Sequence, residues 1–488
     1  MPIASNAAAS APLRDTGAAL LPAHFDQPRI LQPEWMLLRE GAVRDHAAVV
    51  QGGRFAAVGP AARLASEYPH LEALPLPRTL LMPGFVDTHH HLTQAFGKSL
   101  VFGEPSEIFR RVWVPLEGSL TGEHLYLSSK LAALEALRGG FTTVCDAGTR
   151  SEAGLDAIGR AVGHAGVRCV LGLICNDRPG TDTLDPAPIL RRAEQHLAGW
   201  AGQPLVVPSL AISIPEVASD SMLRQVYHLC AEAGRIFQTH ANEHLVAVER
   251  SLDSRRQRPI EHLAAAGALG PAALLAHATL VTPGEIRLLA DSGAAVAYNP
   301  VASAWKGNAV APAELMATFG VRLGLGTDGT RSDGFRLLDY AEAAQRFAFG
   351  IGVGDSSCGA GWRWVDMATH DAAAAAGLGE VTGEIAPGKQ ADFLLVDLDV
   401  PEMTPSWDLT WELVRLANRD QIRAVFVDGR PRLWNGWPLD WDARALMRDI
   451  RQMADSTIAG APIRKLHEPA DRHRDNLRAA RPATGERA

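Results

Sequence analysis

Cysteine is scarce and unpaired in this 488-residue chain: Cys145, Cys169, Cys175, Cys230 and Cys358 are scattered, odd in number and never spaced as CxxC. That excludes a disulfide framework and a cysteine-built zinc or redox motif; buried free thiols in a reducing cytosol are the simplest account, so the expected compartment is cytoplasmic. No apolar run reaches eighteen residues, which removes a membrane helix from consideration. Basic charge is not in excess either. The 47 Lys and Arg stand against 55 Asp and Glu, a net charge of −8, so nucleic acid and anionic membrane lack the footprint they need. The partner left is a small-molecule substrate. The first 28 residues are Ala-rich but have neither the basic start nor the continuous apolar core of a signal peptide, and read as a flexible arm.

What the chain does have is length and alternation. It exceeds the usual size of one domain, so one large domain and a smaller one are expected. Short strands at Trp35–Leu38, Ala47–Gln51 and Phe55–Val58 near one end match Phe393–Val396 and Arg423–Val427 near the other, each bounded by turn residues. A small β-sandwich domain built from residues 29–78 and 381–440 follows. Residues 79–380 would then be an insertion, and 441–488 a charged tail with a helical stretch at Ala443–Met453 and a disordered end.

The insertion offers eight apolar strand candidates: Thr79–Asp87, Thr142–Asp146, Arg168–Ile174, Leu205–Ile212, Arg235–His240, Ala273–His277, Ala294–Tyr298 and Val321–Thr327. Amphipathic stretches such as Glu123–Arg138 and Pro283–Asp291 separate them. Eight strands alternating with helices over about 300 residues favour an α/β fold, a (β/α)8 TIM barrel. A doubly wound open sheet ranks second, because no GxGxxG turn follows the first strand.

Polar residues close four of these runs, where barrel enzymes carry their chemistry. His89 and His91 end the first strand and, at i and i+2, face one way while His90 faces the other. His240 with Glu243 follows the fifth, His277 ends the sixth, and Asp328 follows the eighth. Singly, each has an ordinary reading as a core histidine, a helix-start carboxylate or a turn aspartate; four at one end of one barrel point to a metal site. His89, His91, His240 and Asp328 would hold one divalent ion and leave a position for water. Three imidazoles and a carboxylate suit Zn²⁺ first, with Fe²⁺, Co²⁺ or Mn²⁺ next. Such an ion brings the pKa of its water from about 15.7 toward 7. Asp328 can take that water's proton, Glu243 can carry protons to a ring nitrogen and leaving group, and His277 can orient the attacking group. Asp87 is a candidate for fixing a ligand tautomer. No lysine lies around Pro208–Pro215, where a carboxylated lysine bridging two metals would be needed, so one metal is favoured. Trp113 and Phe109 are candidates for the pocket wall.

The stretch Pro83-Gly84-Phe85-Val86-Asp87-Thr88-His89-His90-His91-Leu92 closely resembles the first-strand signature of the amidohydrolase superfamily. His240 with Glu243, His277, and Gly326-Thr327-Asp328-Gly329 match its later strands, and Ala386–Phe393 resembles the return into the small β-domain. The resemblance covers roughly residues 30 to 440 and lies with the mononuclear branch of cytosine, guanine, 8-oxoguanine and adenosine-type deaminases and triazine hydrolases. It implies metal ligation by His89, His91, His240 and Asp328, catalysis by Glu243 and His277, a homodimer or larger assembly, and Gln94 near the substrate. Two segments depart from the branch's patterns: Tyr298–Ser303 at the seventh strand and Gly329–Asp333 after the eighth. Both border the pocket, so the substrate can differ from the familiar ones.

The expected activity is deamination of an aminated N-heterocycle (purine, pterin, pyrimidine or triazine-like) by activated water, with release of ammonia. The alternatives are hydrolysis of an exocyclic C–N bond in a urea, carbamate or amide, hydrolytic dehalogenation, or metal binding without catalysis.

Overall fold

The computed structural model describes residues 20–104, 107–180, 182–329, 331–351, 360–467 and 470–480. Most of the expected arm, Cys358, Thr330 and the last eight residues lie outside them. The four other cysteines are buried free thiols.

Eight parallel strands run in chain order around a barrel: β1 (Phe85–His90), β2 (Phe141–Asp146), β3 (Arg168–Ile174), β4 (Val206–Ile212), β5 (Phe237–Ala241), β6 (Ala273–His277), β7 (Ala295–Tyr298) and β8 (Arg322–Leu325). Covered on both faces, they read as unbroken apolar runs, and β2 is buried along its whole length. The β8–β1 seam is stitched by polar groups. Thr88 Oγ1 donates to the Leu325 carbonyl (2.9 Å), and the Asp328 amide donates to the His89 carbonyl (2.8 Å). At the amino ends of the strands, Val86, Cys145, Val170 and Leu274 pack with Ala372 and Ala373 of the helix His370–Ala375. Alanines there let the helix approach closely, and a Cβ on Gly324 would lie 3.0 Å from the Ala372 Cα.

A nine-stranded mixed sheet takes strands from both chain segments. Its middle strand, Ala73–Pro83, pairs in parallel with Ile30–Leu38 and antiparallel with Phe393–Asp397. The single strand expected over Thr79–Asp87 is therefore two. Residues up to Pro83 belong to the mixed sheet, and Phe85 onward to the barrel. The break falls at Gly84, whose amide donates to the Asp392 carbonyl (3.1 Å) and whose Cβ, if present, would strike Thr142. The apolar pattern runs through the break because both halves are buried.

The two sheets are pinned by Arg168, which meets Asp392 (3.1 Å) and Asp428 from the start of β3. At the described end of the arm, Phe25 packs on Phe426 with ring centroids 4.8 Å apart. The tail forms helices Ala443–Gly460 and Ala470–Ala480, and no described helix is long and apolar enough to cross a membrane.

Candidate metal and catalytic centre

The carboxyl ends of β1, β5, β6 and β8 bring His89, His91, His240, His277 and Asp328 together as a buried cluster. One donor atom each from His89, His240, His277 and Asp328 lies within 4.8 Å of the others. His91 adjoins them, its Nε2 3.3 Å from His240 Nε2 and 3.4 Å from Asp328 Oδ1. His89 Nε2 is also 3.4 Å from Asp328 Oδ1. His90 points away, as the i, i+2 alternation requires, to Asp87 Oδ2 (2.9 Å). Asp87 therefore meets the ring of His90. It also accepts from the backbone amides of His89 (3.2 Å) and Thr327 (2.9 Å) and from the Thr327 hydroxyl, which lock β1 to the loop after β8.

Several of these residues have left-handed backbones: Asn242 (φ 51°), His277 (79°), Ala278 (47°) and Asp328 (56°). Non-glycine residues resist this conformation, at a cost of order 1–3 kcal/mol each, and such strain concentrates at functional sites.

Tautomers sort the imidazoles. His240 Nδ1 donates to the Ser213 carbonyl (2.7 Å), so its Nε2 turns a lone pair inward. His277 is the reverse, because the Asn299 amide donates to its Nδ1 (3.2 Å) and leaves the proton on Nε2. Nε2 of His89 and of His277 are buried without a hydrogen-bond partner. An unsatisfied buried polar atom costs about 1–3 kcal/mol, so both ask for a ligand. Burial depresses His89, lowers His277 to about 4 and, with the neighbouring imidazoles, holds His240 well below its usual value. All three rings are neutral at pH 7, the form that ligates. Burial alone would raise Asp328, but the Lys306 ammonium first, and then the adjacent His89 and His91 rings, hold it well below the carboxylate range. Three inward imidazoles and an ionised carboxylate fit a divalent cation. His89, His91, His240 and Asp328 can supply such a donor set, while His277 keeps a proton on its Nε2 beside them.

Glu243 stands beside the cluster, with Oε2 3.8 Å from His277 Nε2. Burial would raise its pKa, but His277 and Lys306 bring it far below the usual range. Lys306, which carries no sequence signature, ends the helix Pro300–Lys306. Its Nζ is 2.9 Å from Glu243 Oε1 and also contacts Asp328 Oδ2.

A cleft opens over these groups, and Gln94, Phe109 and Trp113 all line it. Gln94 Nε2 donates to Glu117 Oε1 (3.0 Å), a buried carboxylate that also receives Arg150 (2.6 Å). Glu216, after β4, is a further lining residue that sequence alone did not single out; one of its carboxylate oxygens is buried without a partner.

Residues 80–432 match the model of the amidohydrolase family. The chain belongs to the amidohydrolase family. Among amidohydrolase relatives, it is 27% identical over 429 residues to a 5-methylthioadenosine/S-adenosylhomocysteine deaminase of Syntrophobacter fumaroxidans, covering 87% of this chain and 95% of that one. It is also 27% identical over 433 residues to a 5′-deoxyadenosine deaminase of Methanosarcina mazei, covering 86% and 95%. A zinc-bound adenosine deaminase from Xanthomonas campestris superposes with a TM-score of 0.80 at 25% identity, over 89% of this chain and all of that one. A zinc-complexed atrazine chlorohydrolase from Arthrobacter aurescens shares the amidohydrolase fold (TM-score 0.77, 19% identity, 87% and 99% covered).

Proposed function

We propose that this amidohydrolase deaminates an aminated N-heterocycle, with adenine nucleosides altered at the 5′ position as the first substrates to try. The observation that carries the reading is the set Glu243, His277 and Asp328 beside the converging imidazoles, because ligand binding alone needs neither Glu243 nor a proton on His277 Nε2. Relatives of this length named as adenosine-type deaminases support the choice of ring.

One divalent ion, Zn²⁺ by its donor set, would be held by His89, His91, His240 and Asp328. When bound it lowers the pKa of a coordinated water from about 15.7 to about 7 and serves as Lewis acid. The chain's own residues do the rest. Glu243 Oε2, ionised at rest, takes one proton of the attacking water as the C–O bond forms at the amine-bearing carbon and delivers it to the ring nitrogen. Asp328 takes the water's second proton from the resulting C–OH and passes it to the amine, and the C–N bond breaks to leave the carbonyl and ammonia. His277 donates from Nε2 to the oxygen at the reacting carbon. Gln94, with its amide nitrogen fixed on Glu117, turns its carbonyl oxygen to the cleft as an acceptor for a substrate N–H, and the Trp113 ring supplies an apolar wall.

The test is ammonia release from a panel of adenosine, 5′-methylthioadenosine, S-adenosylhomocysteine, guanine, 8-oxoguanine and aminotriazines, for wild type and Glu243→Gln. Turnover that falls by about 10²–10⁴ in the variant, with metal retained, is the expected outcome. Activity confined to ureas, amides or halogenated rings would replace deamination with one of the alternatives.

A further inference from the structure

Both carboxylates of the proposed catalytic set are divided between two kinds of neighbour. Asp328 Oδ1 faces His89 and His91 at 3.4 Å each, while Oδ2 meets the Lys306 ammonium. Glu243 Oε1 meets Lys306 Nζ at 2.9 Å and Asn308 Nδ2 at 3.3 Å, while Oε2 faces His277 Nε2 at 3.8 Å. One ammonium thus holds one oxygen of each carboxylate and leaves the other oxygen toward the imidazoles.

The local chain is built for this. The helix Pro300–Lys306 ends on Gly307 in the left-handed conformation (φ 71°), which turns the backbone so that Asn308 comes back beside Lys306. The side chain of Lys306 is 14% exposed, with Nζ 5.6 Å from the centre of the Trp305 ring. Phe102 meets that ring edge-on at 5.4 Å. A buried ammonium is tolerated here because two carboxylates compensate it.

We infer that Lys306 and Asn308 are positioning residues: they clamp Glu243 by Oε1 so that a single oxygen, Oε2, is presented for proton transfer, and Lys306 sets the orientation of Asp328 through the same contact. A glutamate without the clamp can turn about its side-chain torsions and lose that presentation. A misplacement of about 1 Å at a reacting group costs about 10² in rate. The kinetic part of the inference rests on the deaminase reading; the contact with Asp328 does not.

The experiment compares Lys306→Met, Lys306→Arg and Asn308→Ala with wild type in steady-state kinetics, in zinc content by elemental analysis, and in the rate of zinc loss to a chelator. For Lys306→Met the expected result is a fall in kcat of about 10² with KM held within about threefold. Lys306→Arg should recover at least about a tenth of wild-type kcat, since it restores the charge in a less suited shape. Asn308→Ala, which removes one neutral hydrogen bond, should cost only about three- to tenfold in kcat. Zinc content should be unchanged, and zinc loss from Lys306→Met should slow by about threefold or more, because a positive charge beside Asp328 is gone. A kcat within about threefold of wild type, or a change carried by KM alone, overturns the clamp, as does zinc content below half. If wild type releases ammonia from no amine, the deaminase reading fails by itself, and the zinc-loss comparison still decides the Asp328 contact: slower loss supports it and an unchanged rate overturns it.

Discussion

Replacing Glu104 with glutamine should free the tail from the rim of the cleft. The Glu104 side chain is 1% exposed and accepts from Arg111 Nη1 (2.9 Å) and the amides of Leu466 (2.9 Å) and His467 (3.3 Å). Arg111 adds a bond to the Arg464 carbonyl (3.0 Å), and the Arg464 amide returns one to the Arg111 carbonyl (2.9 Å). Residues 464–467 therefore lie as a strap across the segment that carries Ile108, Phe109 and Trp113 into the cleft. Hydrogen bonds to a charged group are worth about 1.5–3 kcal/mol each. Glutamine keeps one acceptor and turns an amide nitrogen toward donors, so a net loss of about 3 kcal/mol follows from two such bonds. At 1.4 kcal/mol per factor of ten, the strap should open about 10² times more often. Hydrogen exchange of peptides covering 461–467 and 107–113 reads this directly, and KM should rise as the Phe109 wall loosens. The pH dependence has a definite sign. Burial would raise the Glu104 pKa, but the Leu466 amide and Arg111 outweigh it and the net shift is downward. Stabilisation by a depressed carboxylate is complete above its unfolded value of about 4.3 and is lost as pH falls through the folded value. Wild type should hold the strap evenly from pH 6 to 8 and release it only in acid. Exchange in the variant within about twofold of wild type would refute the reasoning.

Gln94→Ala should raise KM about tenfold with kcat nearly kept, since one substrate hydrogen bond is removed; an unchanged KM would take Gln94 off the substrate. Arg168→Met leaves Asp392 and Asp428 facing each other without their cation, and should cost about 3–5 kcal/mol, read as a fall in Tm with metal content unaltered. Asp366 is raised to about 6 by burial, with the nearby Asp371 adding to it. A carboxylate raised in the fold contributes stability below its unfolded pKa and loses it as pH rises from there through 6, so Asp366→Asn should gain about 1–2 kcal/mol at pH 8 and little at pH 3.5. Thermal melts at the two pH values check it.

The barrel was legible because its strands are buried on both faces, and four of them lead directly into the polar residues of the site. Val206–Ile212 and Ala273–His277 have few readings other than a covered parallel strand. The same burial hid the join at Gly84, since apolarity does not distinguish one sheet from the next. Ala73–Pro83 was unreadable in its first half, where Pro75, Pro77 and Arg78 suppress a strand pattern; pairing with Ile30–Leu38 overrides it. In the site, His89, His91, His240, His277 and Asp328 stood out as polar ends of apolar runs. Lys306 and Asn308 did not, because they reach the centre from a helix end and the turn after it, where a lysine or asparagine is ordinary surface composition. The strap at 464–467 was hidden for the same reason: backbone amides make its bonds, and they leave no mark in side-chain pattern.

The central claim is that three imidazoles and Asp328 hold one divalent ion. Elemental analysis of protein purified without chelator tests it most directly, on wild type, His240→Ala and Asp328→Asn, with circular dichroism to confirm folding. The account predicts about one equivalent of metal, chiefly zinc, per wild-type chain, and less than about a fifth of that in either variant. A folded wild-type protein that carries no divalent metal and takes up none from added zinc would contradict it.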